Sequence, residues 1–483
     1  MIDESVRQQY TLTIGIECHV QLKTKSKLFS AVDNDAREAP ANTLISHIDL
    51  GLPGALPVLN EKAVELSIRA AQALGTHAQK FSKFDRKHYF YPDLPMGYQI
   101  TQFYEPIIRH GQVEIEVDGE IKTVRIHEAH LEADAGKSVH PAGKDYSLVD
   151  LNRAGTPLLE IVSEPEMHSA AEAKAYAKEL QLRMRYADVS DASLFYGNMR
   201  FDVNVSVSKD PNTLGTRTET KNLNSFRSVE RAIEFETMRQ IELLEKGEKI
   251  TQETRGWDDA KQKTFSQRSK EEAHDYRYMP DPDIPPIVLT DEVIAKVEAE
   301  MPVMPNVYRR LFTEIGLDGG AQEALLGVKE HAALVKAVHE SDGTEHAKRV
   351  ANWLVNVTSS DEEEDTAIAD IKVDKATAVQ LSQMVAENKL SSTAAKDVWL
   401  EIYANGGNPL EIAELKNLLQ VSDEDTVAEI VANVLAENPQ AAEDIKNGEM
   451  KAIGFLVGRV MKASQGKANP GLAQQLIKKQ LGI

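Results

Sequence analysis

The chain of 483 residues has a single cysteine, Cys18. A lone thiol excludes an internal disulfide and any thiolate-based zinc site. No apolar run approaches the roughly 18 to 20 residues that cross a bilayer, and the opening MIDESVRQQY lacks the basic and apolar regions of a secretory signal. These absences lead to the expectation of a cytoplasmic protein. Basic residues are also in deficit, 55 Lys and Arg against 76 Asp and Glu, and a formal charge of -21 argues against general affinity for polyanions. The deficit is uneven. In the last segment Lys451, Arg459, Lys462, Lys467, Lys478 and Lys479 stand against Glu449 alone, whereas DEEED at 361 to 365 reads as solvated acid.

Common catalytic signatures are missing as well. GKS at Gly136 to Ser138 lacks the glycine that a phosphate-binding P-loop needs five residues earlier, where Leu131 stands. HEAH at 127 to 130 spaces its histidines by three rather than four, and no GxSxG elbow occurs. A bound nucleotide must therefore be held by metal and by basic side chains.

What is present divides into two textures. Up to about residue 290 the chain has short alternating stretches, glycine and proline, with helical patterns at Glu61 to Leu74, Ala170 to Tyr186 and Ser228 to Lys246. An α+β body with a large antiparallel sheet is expected. After DPDIPPIVLT, from Asp291, apolar residues recur at three-to-four spacing with no convincing strand, which predicts an all-α remainder. Asn405, Gly406, Gly407, Asn408 and Pro409 break that remainder. The expected domains are 1–292, 293–407 and 408–483, with no internal repeat.

The chemistry sits in the alternating stretches. In GIECHVQL, Ile16, Cys18, Val20 and Leu22 share one strand face, while Glu17, His19 and Gln21 share the other. In HLEADAGK, His130, Glu132 and Asp134 fall together; in MRFDVNVSVS, Arg200, Asp202, Asn204, Ser206 and Ser208 oppose Phe201, Val203, Val205 and Val207. Glu160 lies within the apolar run Leu158 to Val162, and a buried carboxylate needs a cation or hydrogen bonds to remain ionised. If these strands join one sheet, their polar face is a bed of oxygen ligands with an imidazole, suited to Mg²⁺. Arg86, Lys87, Lys137, Arg153, Arg200 and Lys221 are cations fitted to phosphate. The competing reading is a polar face satisfied by internal ion pairs. Tyr89, Phe90 and Tyr91 read as packing, while Lys221, Asn222 and Asn224 fit a site and a turn cap equally.

GIECHVQLKTKSKLFS, FDRKHYFYPDLPMGYQITQ, HLEADAGKSVH, DLNRAGTPLLEIVSEP, ETKNLNSFRSVERAIEFE and HDYRYMPDPDIPP, in this order, resemble the GatB/GatE family, the B subunits of aspartyl/glutamyl-tRNA(Asn/Gln) amidotransferases. GFLVGRVMKASQGKANPGL is similar to the family's YqeY-like tail, so the resemblance spans the chain. It implies a catalytic body of glutamine synthetase and guanido kinase type. It also implies a heterotrimer with an amidase A subunit and a small C subunit. The implied reaction uses ATP to phosphorylate the side-chain carboxylate of Glu-tRNA(Gln) or Asp-tRNA(Asn), and ammonia from the amidase then displaces phosphate. A carboxylate is a poor acyl donor, because oxide would have to leave, and phosphorylation supplies the leaving group.

Residue by residue, the resemblance implies His19, Glu132 and Glu160 as metal ligands, with Glu17 in or beside the ligand shell. Asp134, Asp202 and Asn204 are candidates for a second ion or its waters, and Arg200, Lys137, Arg153 and Lys221 for phosphate contacts. His19 ligates only when neutral, so activity is expected to fall as it protonates. The chain departs from the family at Ala133, where many relatives are acidic, and at Met96, where lysine is common. It also lacks the cysteine zinc knuckle that some relatives carry before LPGALPVLN, so no zinc is expected. Ala133 should face away from the site, while Met96 removes a charge from any ammonia path there. Two rival readings are a free-standing ATP-dependent amidoligase, for which a basic helical tail has no use, and a non-catalytic tRNA scaffold.

Overall fold

The alternation read from the sequence produces one large sheet. Strand β1 (Thr11–Gln21) runs through its middle, burying Ile14, Ile16, Cys18 and Val20 and turning Glu17, His19 and Gln21 to the other face. The further strands are β2 (Ile108–Arg109), β3 (Gln112–Val117), β4 (Glu120–Ala133), β5 (Pro157–Ser163), β6 (Met199–Ser208), β7 (Thr218–Leu223), β8 (Glu253–Asp258) and β9 (Lys263–Ser269). Their order is β9-β8-β7-β6-β1-β5-β4-β2, with β3 paired to the first half of the long β4. This computed structural model describes residues 3–141, 143–269, 275–356, 371–420, 424–447, 449, 451–464 and 467–483.

The sheet is mixed, which corrects the expected antiparallel one. Strands β7 and β8 pair in parallel, while the other pairings in the sheet are antiparallel. Parallel neighbours need a crossover longer than a hairpin, and a helix of 20 residues, Phe226–Glu245, lies between these two. That helix, α3, follows α1 (Glu61–Ala73) and α2 (Ala170–Tyr186). Each begins at a side-chain cap: Asn60, Ser169 and Ser225 accept from backbone N–H groups of Lys62, Glu172 and Ser228. The last cap starts α3 at Phe226, ahead of the expected Ser228. Ala70 of α1, Tyr176, Leu180 and Met184 of α2, and Val229 and Ile233 of α3 share a core with Ile14, Ile16, Cys18 and Phe201. Helices thus cover the apolar face, and the ionisable groups are left to the other.

The chain falls into two compact units, the first running to Pro305 and the second beginning at Asn306. The helix Asp291–Ala299 seats Ile294 and Val297 in the first unit's core, so the change of texture at Asp291 precedes the change of unit. In the second unit the described elements are all helices. Gly406 and Gly407, at φ of 74° and 114°, end the helix Ser392–Asn405 in a conformation that suits glycine. The short helix Pro409–Leu415 packs on the helices before it, and a separate cluster of Val427, Val431, Leu456, Val460, Leu476 and Ile477 forms the core of the terminal helices. The acidic run at 361 to 365 lies outside the described residues. No helix among them is long and apolar enough to cross a membrane.

Candidate active site

Strand register gathers the ionisable residues into rows. His130 of β4 stands opposite Glu160 of β5, Glu160 opposite His19 of β1, and His19 opposite Arg200 of β6. One line of acid, base and guanidinium therefore crosses four adjacent strands. His19 Nε2 lies 3.5 Å from Glu160 Oε2 and 3.6 Å from Glu132 Oε1, while His130 Nε2 lies 3.2 Å from Glu160 and 3.9 Å from Glu132. Beside this line Glu17 stands opposite Asp202 and, two positions along the same strand, Asn204 stands opposite Glu219. Asn204 donates to Glu17 at 2.9 Å, and Lys221 Nζ bridges Asp202 at 3.0 Å and Glu219 at 2.9 Å.

Carboxylates packed this closely repel one another and lose hydration. Glu132 is pushed up by burial and then by Glu160, and Glu17 by burial and then by Glu160 and Glu219, against the pull of Lys221. Glu160 goes the other way: burial opposes its charge, but His19 and His130 hold it well below the usual carboxyl range. The imidazoles reciprocate. Burial disfavours the His19 cation, yet the charge and hydrogen bond of Glu160, and then Glu132, raise its pKa to about 9.

These donors fit a divalent cation. Ligand atoms of His19, Glu132 and Glu160 lie within 4.8 Å of one another, as do those of Glu17, Asp202 and Glu219. Imidazole with carboxylate oxygens suits a hard or borderline ion, and a cation entering here displaces a proton.

Other expected residues are placed as follows. Asp134 pairs with Arg153 at 2.8 Å and Arg200 at 3.3 Å, and although burial opposes its charge these guanidiniums lower its pKa. Arg200 thus joins that pair to the histidine row. Lys137 is exposed on a two-stranded ribbon, Lys137–Val139 with Leu148–Asp150, and no ion pair joins it to the cluster among the described residues. Arg86 binds Asp281 and Asp283 at 2.8 Å each and lies over the Tyr98 ring. Asn222 supplies its backbone N–H, not its amide, to Asp202 at 2.8 Å, from a left-handed φ of 60°. Ala133 lies in the core, away from the polar face, and Met96 packs half-buried against that core. Of the aromatic stretch read as packing, Tyr89 is half-buried, but Phe90 and Tyr91 are exposed.

Two further residues, given no role by the resemblance, join the cluster. His130 was visible in its alternation with Glu132, and Glu219 stands two residues before Lys221 on the same strand face, so period-two spacing was the available signal for both.

Comparison with known proteins gives an independent view. The profile of the GatB/GatE catalytic domain matches residues 12–295, and that of the GatB domain matches residues 333–481. The chain is 46% identical to the B subunit of the aspartyl/glutamyl-tRNA(Asn/Gln) amidotransferase of Thermoanaerobacter pseudethanolicus, over 98% of this chain and 99% of that one. The proteins of the same name from Hydrogenovibrio crunogenus and Carboxydothermus hydrogenoformans are 45% and 41% identical, again over 98% of this chain and 99% of theirs.

Proposed function

The chain belongs to the GatB/GatE family, and we propose that the paired carboxylate rows of its sheet are where the family's reaction is activated. It serves as the B subunit of a glutamine-hydrolysing aspartyl/glutamyl-tRNA(Asn/Gln) amidotransferase, a ligase of translation that makes Gln-tRNA(Gln) and Asn-tRNA(Asn) by transamidation. Its family implies ATP use. In this reading the γ-phosphoryl group of ATP passes to the side-chain carboxylate of the mischarged amino acid, releasing ADP. Ammonia then attacks the acyl carbon, and the C–O bond to phosphate breaks. An amidase A subunit supplies the ammonia, a small C subunit completes the complex, and the setting is cytoplasmic.

The observation that carries the reading is the in-register line His130, Glu160, His19 and Arg200 beside Glu17, Asp202 and Glu219. His19, Glu132 and Glu160 would hold one Mg²⁺, with Glu17 beside them; Glu17, Asp202 and Glu219, with Asn204, would hold a second or its waters. Bound there, the ion would supply neutralisation of charge on the phosphoryl group in transfer. Arg153 and Arg200, aligned by Asp134, and Lys221, aligned by Asp202 and Glu219, contact the phosphates, and Lys137 reaches them from its exposed ribbon. No protein nucleophile is required, in keeping with Cys18 lying in the core. The basic terminal helices bind tRNA.

The test supplies the assembled complex with Mg²⁺, ATP and Glu-tRNA(Gln) or Asp-tRNA(Asn), and follows ADP release and amidation beside Glu160→Gln. ADP release that needs the mischarged tRNA and is lost in a folded variant is the expected result. Activity with free glutamate would instead identify a small-molecule ligase, and a fully active variant would make this face structural.

A further inference from the structure

Phe90 and Tyr91 are 85% and 52% exposed, and they adjoin a longer series of rings. Tyr104 meets Phe103 edge-on with centroids 5.0 Å apart, and Phe103 stacks on Tyr278 at 3.9 Å with planes 12° apart. Tyr278 meets Tyr276 at 6.0 Å, Tyr276 meets Tyr89 at 6.2 Å, and Tyr89 meets Tyr91 at 6.0 Å. Lysines are interleaved: Lys83 lies 5.7 Å from the Tyr104 ring centre, and Lys87 lies 5.0 Å from that of Tyr276.

The series is anchored beside the carboxylate rows. Gln102, next to Phe103, accepts from the backbone N–H of Leu131, the neighbour of Glu132; Gln99, which Tyr89 binds through its hydroxyl, donates to the Ala133 carbonyl. The backbone N–H groups of Phe103 and Tyr104 both donate, at 3.0 Å, to the fully buried carboxylate of Asp85. Burial first, then Tyr276 and the charges of Glu160 and Glu132, push the Tyr278 hydroxyl up. The rings are therefore held in place, yet Phe103 and Tyr104 remain 49% and 47% exposed.

Packing does not account for exposed rings on a backbone pinned by a buried acid. A protein interface core is typically poor in lysine, whereas unpaired nucleotides are bound by rings that stack with bases and by lysines that meet phosphates. The mischarged amino acid is esterified to the last nucleotide of an unpaired 3′ end, and this end must reach Glu132 and Glu160. We infer that the ring series is the track for that 3′ end, with bases stacked on Phe103 and Tyr104 and phosphates met by Lys83 and Lys87. The inference rests on the aminoacyl-tRNA substrate proposed above.

The experiment uses the assembled complex and Glu-tRNA(Gln) carrying 2-aminopurine at an unpaired 3′ position. Stacking should quench its fluorescence on binding to the wild-type complex. Phe103→Ala and Tyr104→Ala should relieve the quenching and each raise the KM for tRNA on the order of tenfold, leaving the KM for ATP unmoved, and Phe103→Trp should restore both. A wild-type complex that amidates tRNA, beside alanine variants that keep its quenching and KM, overturns the track alone. Variants that lose a partner protein rather than tRNA affinity assign the rings to a protein contact and overturn it too. A folded wild-type complex without tRNA-dependent ADP release removes the proposed function, and the track with it.

Discussion

His19 of the sheet and His331 of the helix Lys329–Asp342 are both enclosed by protein, but different chemistry surrounds them. Two carboxylates reach His19 and raise its pKa to about 9. His331 is fully buried, with Nε2 2.9 Å from the Tyr403 hydroxyl and no charged group driving its titration, so burial pushes it down to about 4. Burial always disfavours the imidazolium, and only neighbouring negative charge reverses the sign. The helical unit places a polar group where it stays neutral, as a core does. The sheet collects groups that repel one another, and such local conflict is expected where a site is held ready for a ligand.

The contrast predicts different consequences for the two units. The largest effect falls on the sheet: Glu132→Gln should lower tRNA-dependent ADP release by about 100-fold or more. Its urea midpoint should hold or rise, because a buried carboxyl repelled by Glu160 is removed; a comparable loss of stability would make the residue structural. The next effect belongs to the helices. His331 stays neutral in the fold well below the roughly 6.5 at which it titrates when unfolded, so the unfolded chain binds the extra proton. Its contribution is complete above pH 6.5 and declines as pH falls toward about 4, by on the order of 3 kcal/mol. Urea titrations across that range should show the decline, and His331→Phe should flatten it; an equal slope in the variant would assign the acid loss elsewhere.

Asp134→Asn should come third. It leaves two guanidiniums without their carboxylate, at a cost of about 2 kcal/mol near neutral pH. The wild-type advantage should vanish as pH falls through the lowered carboxyl pKa, which thermal denaturation of both proteins at two pH values would reveal. The smallest effect is at the end of the chain. Lys462→Ala or Lys467→Ala should weaken tRNA binding by a few-fold and reduce the salt slope by about one ion each. Affinity and slope unchanged in both variants would take these lysines out of the interface.

Much of the sheet could be read from alternation, because a strand that buries one face needs apolar residues at every second position. Glu17, His19, Asp202 and Asn204 appear on their correct face for that reason. The row itself could not be read this way. His130 faces Glu160 only through the register of β4 against β5, and Arg86 is occupied by Asp281 and Asp283, far away in the chain. The parallel pair β7 and β8 was hidden because either direction of pairing suits the same alternating pattern. By itself, then, the sequence determined the strand faces, the helices of the first part, the change of texture near Asp291 and the family likeness, since these follow from periodicity and long motifs. Only the tertiary structure decided which carboxylate meets which imidazole, which cations are already paired and which rings stay exposed, because those depend on register and on contacts between residues distant in the chain.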